Sequence, residues 1–147
     1  MIMPKIEPEG YKAMAAFDKY LDSTSLTRAH RDLIKIRTSQ INGCAFCIDK
    51  HSLEAREAGE TEQRIYALSV WRDTPFFTEE EKAILALTEE VTLIRNHVSD
   101  ETYDQAVGLL GEKYVAQAIM AIISMNAWNR IGITTGMQPA IHQPALN

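Results

Sequence analysis

Apolar residues recur through this chain at spacings of three and four, a period that leaves little room for anything but a helical fold. Tyr11, Met14, Phe17 and Leu21 share one face, and Leu33, Ile34 and Ile36 serve a second segment. Ile65, Leu68 and Trp71 mark another, as do Ile84, Leu87, Val91 and Ile94. The punctuation agrees. Thr27 is placed to cap a helix that runs to about Ile41, and Asn42-Gly43 breaks it, because both residues tolerate positive φ. A third helix is expected from near Cys44 to Gly59, and a fourth from Thr61 to the neighbourhood of Pro75. Thr78-Glu79-Glu80-Glu81 reads as a capping box, the hydroxyl reaching the third amide and Glu81 reaching back. Ser99, with Asp100 and Glu101, opens a helix that stops at Gly111. The last segment, about residues 112–131, is apolar on several faces through Val115, Ile119, Ile122, Ile123 and Trp128. Such a helix belongs either in the core or in an oligomer interface. No stretch reads as a strand. The expectation is one all-α domain over residues 1–147, with six or seven helices, a short N-terminal lead and an extended tail over residues 136–147.

Composition narrows the functional classes. At 147 residues the chain has the size of one ordinary domain, and 46% apolar with 24% charged residues is usual for a globular one. The net charge is −5 and the basic residues are dispersed among acids, so no stripe exists to neutralise phosphates and a nucleic-acid partner is not expected. Residues 1–10 lack the apolar core of a signal peptide. The longest apolar stretch, residues 116–125, is interrupted by Gln117 and Ser124 and is too short to span a bilayer. A cytoplasmic protein with no membrane partner is expected. Two cysteines separated by two residues, in a reducing compartment, point to redox or metal chemistry rather than to a structural bridge.

The segment Cys44-Ala45-Phe46-Cys47-Ile48-Asp49-Lys50-His51 carries that chemistry. On a helix, residues 44, 47 and 51 fall at about 0°, 300° and 340°, on one face. Thiols one turn apart can close a disulfide, and the first turn of a helix favours a thiolate through its unpaired amides and dipole. His51 adds a proton acceptor on the same face. A zinc site needs a fourth ligand, for which His30, His97 and Asp32 are the candidates, since no second C-x-x-C is present. Trp71, Phe76 and Phe77 read as core or as an entrance, the Glu79–Glu81 run as a helix start, and His97 and His142 have no partner pattern. Asn126 and Asn129, beside Trp128, read as groups that support the site or bond across subunits.

The stretch from Asp32 through Asn42-Gly43-Cys44-Ala45-Phe46-Cys47 to His51 resembles the signature of the AhpD-like alkylhydroperoxidases, within the carboxymuconolactone decarboxylase superfamily. That pattern is an acidic residue, eleven intervening positions, then C-x-x-C-x-x-x-H. The resemblance implies a helical AhpD-like fold assembled as a trimer or hexamer, and thiol-dependent reduction of hydroperoxides. It implies that Cys47 attacks the peroxide and becomes a sulfenic acid, that Cys44 resolves it to a disulfide, and that His51 and Asp32 relay protons. It further implies no tightly bound cofactor, and an external dithiol, such as dihydrolipoamide on a carrier protein, as reductant. Axial spacing points the same way for the attacking sulfur. His51 lies about 6 Å along a helix from Cys47 but about 10.5 Å from Cys44. Two positions depart from the pattern. Asp32 stands where glutamate is usual, with about 1.3–1.5 Å less reach, and Phe46 stands where founding members carry histidine. The same residues also suit a general thiol–disulfide oxidoreductase, or a redox-sensing or metal-binding module without turnover.

Overall fold

In the computed structural model, which describes residues 1–141, the helix α3 (Arg28–Asn42) packs against three other helices and separates two cores. Ile34 enters one core with Leu21, Ile84, Leu87, Val115 and Ile122. Leu33 and Ile36 enter the other with Ala55, Leu68, Trp71, Phe77 and Leu85. Three apolar residues within four positions spread around more than one stripe, so this helix can bury itself between two layers.

Before it come a four-residue turn α1 (Met3–Ile6) and α2 (Pro8–Asp22), and after it α4 (Ala45–Glu57) and α5 (Glu62–Ala67). Then follow α6 (Glu79–Thr92), α7 (Asp100–Leu110) and α8 (Glu112–Thr135), with 3₁₀ segments at Leu68–Asp73 and Ile94–Asn96. The eight α-helical segments among the described residues exceed the expected six or seven because α1 is separate; the fourth expected helix keeps its α-helical form only to Ala67. Its second half is a 3₁₀ segment with Val70 off helical values (φ −124°, ψ 30°). At three residues per turn, positions i and i+3 align. Leu68 and Trp71 thereby both reach the second core.

Side-chain caps stand where the sequence placed them. Thr27, Thr61 and Ser99 accept from the amides of His30, Arg64 and Thr102. Thr78 and Glu81 complete their box with bonds of 3.2 and 2.9 Å. Glu81 also takes two donors of Arg64, which ties α5 to α6. Burial raises the Glu81 pKa, but the Arg64 guanidinium and the Thr78 amide together hold the carboxyl below its ordinary range. The last helix runs four residues beyond expectation and ends where Gly136 adopts a left-handed conformation (φ 69°). Val115, Ala118, Ile122, Met125, Asn129 and Gly132 form its buried stripe, and Met120, Ile123 and Ile133 stay exposed. Residues 137–141 are irregular. The rest of the expected extended tail, with His142, lies outside the described residues. Among the described residues no single helix is long and apolar enough to cross a membrane, and α7 with α8 would suffice only as a pair bent by 120°.

Gly108 lies inside α7 with open space where a β-carbon would stand. Gly108→Ala should therefore raise stability by about 0.5–1 kcal/mol through helix propensity alone. A higher urea midpoint at unchanged m-value is the expected result, and a lower midpoint would contradict this packing.

Candidate active site

The turn from α3 to α4 is built on Asn42-Gly43-Cys44. Gly43 takes φ 72°, a conformation that closes a helix and that side-chain-bearing residues avoid. Its amide then bonds the carbonyl of Gln40, and the amide of Cys44 bonds that of Ser39 at 3.0 Å. These two bonds form a Schellman motif and consume the last carbonyls of α3. The carbonyl of Cys44 meanwhile accepts the first helical bond of α4, from Ile48 at 2.9 Å. Cys44 is thus the N-cap of α4, and Cys47 is its third helical residue, in the turn where amides lack intrahelical partners. The two sulfurs are joined as a disulfide across a Cα–Cα distance of 5.3 Å.

α8 backs this elbow. The Asn42 side-chain amide donates to Asn129 at 2.9 Å and to Asn126 at 3.0 Å. Asn129, fully buried, donates in turn to Ser39 Oγ at 3.0 Å. Gly132, one turn further on, lies against the sulfurs.

Cys47 and His51 line one cleft of about 480 Å³ between α2, α3, α4 and α8. Tyr11, Leu21, Phe46, Met125, Trp128 and Met137 supply apolar walls, and Arg31, Lys35 and Lys50 are its basic groups. Cys44 is not part of the lining; it is 2% exposed, against 4% for Cys47. His51 is 8% exposed, and its Nδ1 lies 2.8 Å from Glu54 Oε2. Burial lowers the imidazole pKa below its ordinary value; the Glu54 hydrogen bond opposes this and the Lys35 charge adds to it. At neutral pH the ring is therefore uncharged, donates Nδ1–H to the carboxylate, and keeps Nε2 as an acceptor. Burial raises the Glu54 pKa, but hydrogen bonds from Lys50 and His51 hold it below the ordinary range.

Three of the four residues singled out from sequence are thus brought together: Cys44, Cys47 and His51. Asp32 stands apart. It is buried on α3, outside the cleft lining, and its carboxylate accepts from Arg28 Nε at 2.7 Å. Arg28 also donates to the backbone carbonyl of Glu54 at 3.1 Å, so its guanidinium bridges Asp32 to α4. The carboxylate on His51 is Glu54, which sequence reasoning passed over although the three-residue helical spacing was there to read. Among the described residues no group of three His, Cys, Asp or Glu side chains is arranged to hold a metal ion. His30 is instead bonded to the Tyr114 hydroxyl at 2.7 Å. Trp71 and Phe77 belong to the second core, and the cleft aromatics are Tyr11, Phe46 and Trp128.

By these contacts the His51 imidazole should titrate below the ordinary histidine value of 6.5 when followed by NMR. Glu54→Gln removes the group that favours the imidazolium, so the midpoint moves lower still. A wild-type midpoint above 6.5, or no response to Glu54→Gln, would contradict the pairing.

Residues 8–90 match the model of the carboxymuconolactone decarboxylase family. The uncharacterised protein YdfG of Bacillus subtilis (strain 168) is 47% identical over 137 residues, covering 92% of this chain and 93% of that protein. The fold is similar to a crystal structure from Agrobacterium tumefaciens, of a protein of unknown function for which AhpD antioxidant defence is the suggested role. The TM-score is 0.94, at 36% identity, over 97% of this chain and 98% of that one. It is also similar in fold to the debrominase Bmp8 in complex with 2,3,4-tribromopyrrole, with a TM-score of 0.83 at 18% identity, over 91% of this chain and 72% of the other. On the family match and the full-length likeness together, this chain belongs to the carboxymuconolactone decarboxylase family, within its AhpD-like fold group.

Proposed function

We propose that the protein is a thiol-dependent peroxidase that reduces organic hydroperoxides. The observation that carries this reading is the division of the cysteine pair. Cys47 meets the cleft together with an uncharged histidine, whereas Cys44 lies outside the cleft lining. In the reduced protein, His51 Nε2 takes the Cys47 proton, aided by the helix start. The thiolate attacks the distal peroxide oxygen, the O–O bond breaks, and the proton leaves with the alkoxide as an alcohol. Cys44 then attacks the Cys47 sulfenic sulfur, a disulfide forms and water departs. An external dithiol supplies two electrons and two protons to reopen it.

The apolar walls suit an organic peroxide better than hydrogen peroxide. A folded protein disulfide does not enter a cleft of this size, which argues against general disulfide exchange between proteins, while a dithiol on a slender arm fits it. In this scheme Glu54 orients His51, and Asp32 is a positioning residue that acts through Arg28 on α4. The exposed Met120, Ile123 and Ile133 of α8 are where we place the contact of a trimer or hexamer. The chemistry suits the reducing cytoplasm, where such a dithiol is maintained.

Stopped-flow mixing of the reduced protein with cumene hydroperoxide tests the reading. Two thiols per chain should disappear for each alcohol formed, about tenfold faster than with hydrogen peroxide if apolar binding contributes about 1.4 kcal/mol. Retention of both thiols would refute it.

A further inference from the structure

We infer that Gly132 of α8 is the positioning residue for disulfide closure, because its missing side chain leaves the place in which the Cys44 sulfur sits. A β-carbon at this position would stand 3.2 Å from Cys44 Sγ and 3.7 Å from Cys47 Sγ, with Met137 Sδ at 3.9 Å. The first distance is tighter than nine in ten β-carbon contacts, so a neighbour must give by a few tenths of an ångström, and the second is ordinary.

Neither side can easily give way. Cys44 has its amide committed to α3, its carbonyl to α4 and its sulfur to Cys47. On the other side α8 is held by Asn129, three residues before Gly132, through its bonds with Asn42 and Ser39. A methyl group at residue 132 therefore presses on the Cys44 sulfur. The pressure is greatest when the disulfide fixes both sulfurs, and is relieved in the dithiol, where each side chain regains its own χ1.

The consequence falls on one step. Attack of Cys47 on a hydroperoxide, giving alcohol and a sulfenic acid, leaves Cys44 free to turn aside. The following step, in which Cys44–SH and Cys47–SOH become a disulfide and water, needs the Cys44 sulfur in the crowded place. The first part of this division rests on the peroxidase reading; the equilibrium between dithiol and disulfide does not.

The test compares wild type, Gly132→Ala and Gly108→Ala, the last being the same exchange in a helix where nothing stands near the new methyl. In dithiothreitol redox buffers, Gly132→Ala should shift the equilibrium toward the dithiol by about tenfold. After single-turnover mixing with cumene hydroperoxide, its Cys47 should be oxidised within about twofold of the wild-type rate, with trappable sulfenic acid persisting about tenfold longer. Gly108→Ala should match wild type in both measurements. Coincidence of Gly132→Ala with wild type in the redox buffers would overturn the proposal, as would equal slowing of both steps. So would a Gly132→Ala protein that is unfolded even when reduced, since the crowding would then not belong to the bonded state. If wild type consumes no peroxide, the peroxidase reading falls, and the redox buffers alone decide the role of Gly132.

Discussion

One residue's backbone serves two helices, and the site depends on that sharing. The Cys44 amide closes α3 and its carbonyl opens α4, so the sulfur-bearing residue is placed by two ladders of hydrogen bonds at once. Gly43 makes the arrangement possible with its left-handed φ. A β-carbon there would meet no neighbour, so its constraint is conformational and not steric. Everything further along α4 inherits this origin. Cys47 falls in the first turn, His51 one turn later on the same face, and Glu54 within reach of the imidazole.

Much of this was legible because it is local. Thr27, Thr78, Ser99, Gly43 and Gly111 mark helix ends through bonds that span three or four residues, and sequence spacing reports such bonds directly. The C-x-x-C-x-x-x-H run likewise puts Cys47 and His51 on one side of α4, with Cys44 at its N-cap, just outside the helical backbone. Where the reading fell short, the interaction either crosses between helices or offers a choice of partner. Asp32 and Glu54 are both acids near a candidate histidine. Arg28 holds Asp32 from one turn away, and Glu54 is the acid hydrogen-bonded to the ring. Gly132 carries no signal at all in a linear sequence. Its meaning comes from α8 crossing the elbow some 90 residues after it, as the Asn129–Ser39 bond also does. The division of the fourth helix at Ala67 was hidden for a related reason. Leu68 and Trp71 satisfy an α-helical period, and their common burial favours the tighter turn.

The electrostatics follow from burial more than from charge count. The cleft holds basic Arg31, Lys35 and Lys50 beside acidic Asp18, Asp22 and Glu54, so its formal charge cancels. What distinguishes the site is that a histidine is desolvated among them, with one carboxylate to hold its proton on Nδ1. A base kept neutral by burial, beside a thiol at a helix start, is the combination that proton removal from sulfur needs. The fold supplies this without a metal-ligand set among the described residues and with groups drawn from a single helix.

The central claim is that the sulfur facing the cleft attacks, and that the one outside it resolves. Single-cysteine variants separate the two directly. Reduced Cys44→Ser and Cys47→Ser proteins are treated with one equivalent of an organic hydroperoxide and a sulfenic-acid reagent, and the labelled residue is located by mass spectrometry. The account predicts label on Cys47 in the Cys44→Ser protein and little on Cys44 in the Cys47→Ser protein. Label on Cys44 at the wild-type rate of peroxide consumption, with Cys47 unmarked, would contradict it.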